Sequence, residues 1–159
     1  MKIYLAGPLF TTAEQEFNRA LGRALADSGH QVWLPQEQEP REKTARAIFE
    51  KDLEGLKWSE VVLANMDGPD PDSGTCWECG YAFMKIPVVL FRTDFRQAGD
   101  ATNTLFNLMM SESAAATLLL PWLPRSKLQP TSAVLWRGSE DMHAIAQRDL
   151  ASSRLNQRS

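Results

Sequence analysis

Cysteine and histidine are scarce in this 159-residue chain, two of each, and that scarcity removes several chemistries at once. Two cysteines cannot build a disulfide framework. Cys76, Cys79, His30 and His143 make up the whole Cys and His complement, and they lack the ligand spacing of a zinc site. No apolar run reaches the roughly 18 residues that a membrane span requires. A leader is not expected either, because Met1-Lys2 runs straight into strand-like residues and a Gly7-Pro8 turn. Basic excess is also missing: the formal net charge is −3, and Lys and Arg are scattered apart from a loose group at Arg148, Arg154 and Arg158. Binders of a phosphate backbone usually carry a basic stripe, so a nucleic-acid polymer is not an expected partner. What remains is ordinary, with 43% hydrophobic and 23% charged residues on a chain long enough to bury one core without metal. The expectation is a single cytoplasmic domain over residues 1–159, with no membrane partner.

Short apolar runs alternate with stretches of helical spacing. Lys2 to Ala6 reads as a buried strand closed by Gly7-Pro8, and Gln31 to Leu34 as a short second one ended by Pro35. Between them Thr11 or Thr12 can cap a helix, with Glu14 placed for a capping box and Phe17, Leu21, Ala24 and Leu25 on one face. Gln36 to Lys43 is polar loop. Thr44 to Trp58 predicts a second helix, Glu60 to Asn65 a third strand, Thr75 to Met84 a third helix and Pro87 to Phe91 a fourth strand. Asn103 to Met110 suits a further helix, Ala116 to Leu120 a weaker fifth strand, and Glu140 to Leu150 a terminal helix. Near-continuous apolar strands alternating with helices belong to parallel sheets covered on both faces. The prediction is a flavodoxin-like, doubly wound α/β fold with a mostly parallel five-stranded sheet. Ligands of such sheets sit beyond the carboxyl ends of the strands. That singles out Gly7-Pro8, Pro35-Gln36, the loop from Asn65 to Thr75 and the segment after Phe91.

The loop before the third helix concentrates the chemistry, in Asp70-Pro71-Asp72-Ser73-Gly74-Thr75-Cys76-Trp77-Glu78-Cys79. A helix entry near Gly74-Thr75 puts Glu78 in a first turn, where the positive end of the helix dipole keeps a carboxylate ionised, as a nucleophile requires. An acidic first turn is equally what an ordinary cap looks like, and the residues alone leave both readings open. Asp72 and Glu78 are separated by one turn and a helix entry, so both can face one cavity. Two carboxylates around a sugar are what glycosyl chemistry uses. Asp70 fits a turn residue bonded to its own backbone. Asp52, flanked by apolar residues, lies near the inner edge of the second helix, although a solvated helical aspartate reads the same way. Tyr4 is the polar aromatic of the first strand; its ring suits the core, and its hydroxyl can orient a carboxylate at the strand end.

These residues resemble the nucleoside 2-deoxyribosyltransferases. The resemblance is carried by Lys2-Ile3-Tyr4-Leu5-Ala6-Gly7-Pro8-Leu9-Phe10, by Asp52-Leu53-Glu54-Gly55-Leu56, by Asp72-Ser73-Gly74-Thr75 through Glu78-Cys79-Gly80-Tyr81-Ala82, and by Asn107-Leu108-Met109. It spans roughly residues 2 to 110. It implies exchange of the base of a 2′-deoxynucleoside for a free base, with no cofactor and no metal. It further implies Glu78 as the nucleophile, Tyr4 as the hydroxyl that orients it, and Asp52 as the acid exchanging a proton with the base. Asp72 is implied to bind the sugar 5′-hydroxyl, helped by Asn107 of a neighbouring subunit, with Met109 near the same site. Gln36 is implied to hold the base, and Gly7 to lie at the substrate. Homo-oligomers with sites shared between subunits follow from the same resemblance. Nothing after about Pro121 aligns with the family.

Two rival readings follow from the same residues. A 2′-deoxynucleoside 5′-monophosphate N-glycosidase would hydrolyse instead of transferring, but the resemblance implies Asp72 at the position where those relatives carry small hydroxyl residues for the phosphate, and an anion there repels it. A thiol redox module would use Cys76-Trp77-Glu78-Cys79 at a helix start. Against that, the surrounding loop is acidic and Cys79 falls a turn inside the helix.

Overall fold

The computed structural model describes residues 1–38, 40, 42–94, 96, 99 and 106–120. The predicted helix at 140–150 lies outside them. Five strands form one sheet: β1 (Lys2–Ala6), β2 (Gln31–Trp33), β3 (Val61–Asn65), β4 (Val88–Arg92) and β5 (Ala116–Leu119). Their order is β2-β1-β3-β4-β5 and every pairing is parallel. This is the flavodoxin-like order, whose switch point lies between β1 and β3. The expected α/β fold is therefore the observed one.

Strand residues alternate between two faces, which divides the core in two. Tyr4, Ala6, Val62 and Ala64 pack on one side against Leu56 of α2 (Ala45–Trp58) and Cys79 and Ala82 of α3 (Ser73–Phe83). Leu5, Leu63 and Phe91 pack on the other against Leu21 of α1 (Thr12–Asp27). Because both faces are covered, the polar alternation of a half-exposed strand is absent from the sequence.

Helix entries follow local chemistry. Thr11 caps α1 in a full capping box, its hydroxyl accepting from Glu14 N while Glu14 Oε2 accepts from Thr11 N at 2.7 Å. Thr44 caps α2 by accepting from Ala47 N. A single 3₁₀ turn occupies Pro35–Glu37, at the start of the predicted loop. The prediction for the fourth helix needs correction. This helix, α4, spans Leu108–Ser113 with Asn107 as its cap, because the Asn107 side chain accepts from Met109 N and fixes the entry there. Residues 103–105 of the predicted helix lie outside the described ones. No helix among the described residues is long and apolar enough to cross a membrane.

The loops leaving β3 and β4 are knotted together beyond the sheet. Asp67 accepts from Thr93 N at 2.6 Å and Thr93 Oγ1 at 2.5 Å, while Asp94 accepts from Gly68 N at 2.8 Å. Arg92 is wholly buried, donates to the Gly68 carbonyl and pairs with Asp94 at 2.9 Å. A buried charge is tolerated only when paired and hydrogen-bonded, and here it clamps the start of the loop leading to Asp72.

Candidate active site

β1, an interior strand between β2 and β3, carries Tyr4, with 0% of its surface exposed. Its hydroxyl donates to Glu78 Oε1 at 2.5 Å, a charge-assisted length when the carboxyl is ionised. Residues 74 apart in sequence are joined because α3 packs Cys79 and Ala82 onto the face to which Tyr4 belongs. Gly7, directly after β1, has to be small for a local reason. A Cβ there would stand 3.1 Å from Asn65 Cβ, so the end of β1 passes close beside the end of β3.

Glu78 sits differently from the expectation. Helix α3 begins at Ser73, which moves Glu78 into the second turn and out of the strongest dipole field. Burial pushes its carboxyl up to about 7, the Tyr4 hydrogen bond pulling it down and the charges of Asp52 and Asp72 raising it further. A carboxylate kept ionised by a helix N-terminus is thus replaced by one poised near neutrality. Asp52 on α2 is raised as well, again by burial. Tyr4 is driven upward by burial first and then by Glu78, so its hydroxyl keeps its proton and remains a donor.

Glu78 and Asp52 line one cavity of about 340 Å³ together with Phe49, Gly74 and Trp77. That volume lies at the small end of the range for small-molecule sites. Asp72, two residues before the lining Gly74, caps α3, one oxygen accepting from both Thr75 N at 2.8 Å and Thr75 Oγ1 at 3.0 Å. Gly74 needs its missing side chain here, since a Cβ would meet that same Asp72 oxygen at 3.1 Å.

The other expected site residues are not lining this cavity. Gln36 lies on the 3₁₀ turn, where Nε2 donates to Gln15 O at 2.9 Å and Oε1 accepts from Asn18 at 3.2 Å. Asn107 and Met109 are exposed on α4, Met109 to 70%. Three contributors were not singled out from the sequence. Phe49 precedes Asp52 by three positions and so shares its helix face. Trp77 adjoins Glu78. Asn18 is buried and donates to Pro8 O at 2.9 Å, tying the loop after β1 to the 3₁₀ turn.

The setting of the two cysteines beside Glu78 disfavours the thiolate form. Burial raises both thiols, Cys76 further under Asp70 and Asp72, and Cys79 further under Cys76 and Glu78. A reactive pair needs a lowered thiol instead.

Comparison with known proteins follows the same lines. The model of the family described as nucleoside 2-deoxyribosyltransferase matches residues 3–109. A solved structure of a 2-deoxyribosyltransferase from Bacillus psychrosaccharolyticus is 32% identical over 74% of this chain and 85% of its own, with a TM-score of 0.60. A conserved protein from Enterococcus faecalis V583 is 29% identical over 75% of this chain and 91% of its own, with a TM-score of 0.63. A 2-deoxyribosyltransferase from Leishmania mexicana shares the fold at 24% identity, covering 68% of this chain and 83% of its own, with a TM-score of 0.56. Among curated proteins no relative matches.

Proposed function

The chain belongs to the nucleoside 2-deoxyribosyltransferase family of enzymes, and from that premise we propose that it transfers 2-deoxyribose between nucleobases through a covalent ester on Glu78. The observation that carries this reading is the 2.5 Å bond from Tyr4 Oη to Glu78 Oε1 in a cavity that also holds Asp52. The bond turns the carboxylate and leaves Oε2 outside it, available to a sugar.

The chemistry runs in two matched steps. Glu78 Oε2 bonds to C1′ as the C1′–N bond breaks, and the electron pair of that bond stays on the base nitrogen. Asp52, whose carboxyl is raised by burial, would supply the proton that neutralises the leaving base. A second base then attacks C1′, the C1′–O bond breaks, the carboxylate is restored and Asp52 recovers a proton. Deoxyribose lacks the electron-withdrawing 2′-hydroxyl, so positive charge develops at C1′ more readily. Two carboxyl groups in one cavity fit this, one as nucleophile and one as acid. The kinetic consequence is a ping-pong mechanism.

In this reading Asp72 accepts the sugar 5′-hydroxyl through the oxygen not committed to Thr75, and an anion at that point disfavours a 5′-phosphate. Asn107 and Met109, exposed on α4, would reach the site of a second copy in a homo-oligomer. Gln36 and Gly7 would shape the entrance near the end of β1. The setting would be deoxynucleoside salvage in the cytoplasm.

The test is chromatographic. Incubation with deoxyinosine and free adenine or cytosine should give a new deoxynucleoside that is absent without the added base, and Glu78→Ala should abolish it. Release of hypoxanthine with no new nucleoside, or cleavage of a 5′-monophosphate alone, would mean a hydrolase instead.

A further inference from the structure

The cavity has a polar side and an aromatic side, and the transfer mechanism uses only the first. Phe49 and Trp77 complete its lining, yet they stay 40% and 50% exposed, unusual for large rings beside a buried carboxyl. Trp77 is held from behind: Tyr81 stacks on it at 5.6 Å with an interplanar angle of 12°. The Tyr81 hydroxyl in turn accepts from Lys85 Nζ at 2.7 Å. Phe49 meets Trp77 at 62° with ring centroids 5.4 Å apart. The two rings therefore form a preset corner, half open to solvent, beside Asp52 and Glu78.

We propose that Phe49 and Trp77 are the base-recognition wall, and that a nucleobase docks by stacking into their corner. This rests on the transferase reading and deepens it. With C1′ at Glu78 and the base nitrogen reaching toward Asp52, the flat base has to lie between these elements. Phe49, one helical turn from Asp52, and Trp77 line the same cavity as Asp52 and Glu78, so a base held between the two carboxyl groups lies within reach of both rings. Neither ring offers a hydrogen-bond pattern that distinguishes one base edge from another, and every base has a π-face. Recognition by such a wall is tolerant of base identity.

Removing a stacking ring typically weakens binding of a base by about 5- to 150-fold. Trp77→Ala should raise the KM for the incoming free base within that range with kcat largely kept, and Trp77→Phe should restore most of the loss. Phe49→Leu, which keeps apolar bulk without a ring, should raise KM in the same direction. An unchanged KM for free base in Trp77→Ala would overturn the wall. A second readout separates this idea from the transferase reading. Adenine should quench tryptophan fluorescence in the inert Glu78→Gln protein and lose that quench in Glu78→Gln/Trp77→Phe. Quenching that depends on Trp77 with no exchange by the native protein would sink the transferase reading and keep the wall. Exchange without Trp77-dependent quenching would do the opposite.

Discussion

Replacing Glu78 by Gln should stabilise this protein in alkaline solution while destroying its activity. The carboxyl is raised from 4.5 to about 7, burial being the main cause. The unfolded chain therefore gives up this proton at lower pH than the folded one, and the folded state binds more protons between those two values. Stability contributed by the neutral carboxyl is fully present below about 4.5 and is lost as pH rises through about 7. The shift of roughly two and a half units corresponds to about 3 kcal/mol at about 1.4 kcal/mol per unit. Glutamine has the same shape, keeps an oxygen for the Tyr4 hydroxyl and never ionises. At pH 8.5 the Glu78→Gln protein should therefore be more stable than the native one by up to about 3 kcal/mol. For a chain of this length that is a melting temperature higher by about 6–12 °C. At pH 4 the two should melt together. Calorimetric or fluorescence melts of both proteins across pH 4–9 make the comparison, and other titrating groups cancel in the difference. A pH-independent gap, or a native protein that is the more stable at pH 8.5, would refute burial as the force acting on Glu78.

Three further predictions follow from the same geometry. Tyr4→Phe removes a hydrogen bond to a charged group, worth about 1.5–3 kcal/mol, so the acid limb of the pH–rate profile should move up by about 1–2 pH units; a limb that stays put would show that the 2.5 Å bond does not govern Glu78. Gly55→Ala should lower stability by about 1–3 kcal/mol in urea denaturation, since the new Cβ would stand 2.3 Å from Trp33 Nε1. Helix propensity alone would make that change favourable, so a gain in stability contradicts the packing. Cys76 and Cys79, both raised by burial, should react with a thiol reagent at pH 8 far more slowly in the native than in the unfolded protein, and rapid disulfide formation on mild oxidation would run against this.

The sheet was legible because a parallel strand covered on both faces has to be apolar throughout, as Val61 to Ala64 and Val88 to Phe91 are. Helix entries were legible where a side chain supplies the cap, as at Thr11 and Thr44. The entry of α4 was not legible because it is fixed by one asparagine side chain, Asn107, that accepts from Met109 N. Glu78 was assigned to a first turn for a similar reason: Asp72, not Gly74, carries the capping oxygen. A shift of two residues changed its electrostatic setting.

What the sequence determined by itself is a parallel α/β sheet and a short list of carboxylates at the ends of its strands. Both depend on properties a residue carries with it: hydrophobic periodicity, capping oxygens, and the acidity of Asp and Glu. What only the tertiary structure decided is which of them meet and in what state. Tyr4 reaches Glu78 because β1 is an interior strand and α3 packs on the face that carries Tyr4, and the carboxyl rises toward 7 because that packing strips its water. The aromatic corner has the same origin. Phe49 and Trp77 lie 28 positions apart and meet only because α2 and α3 pack on the same face of the sheet.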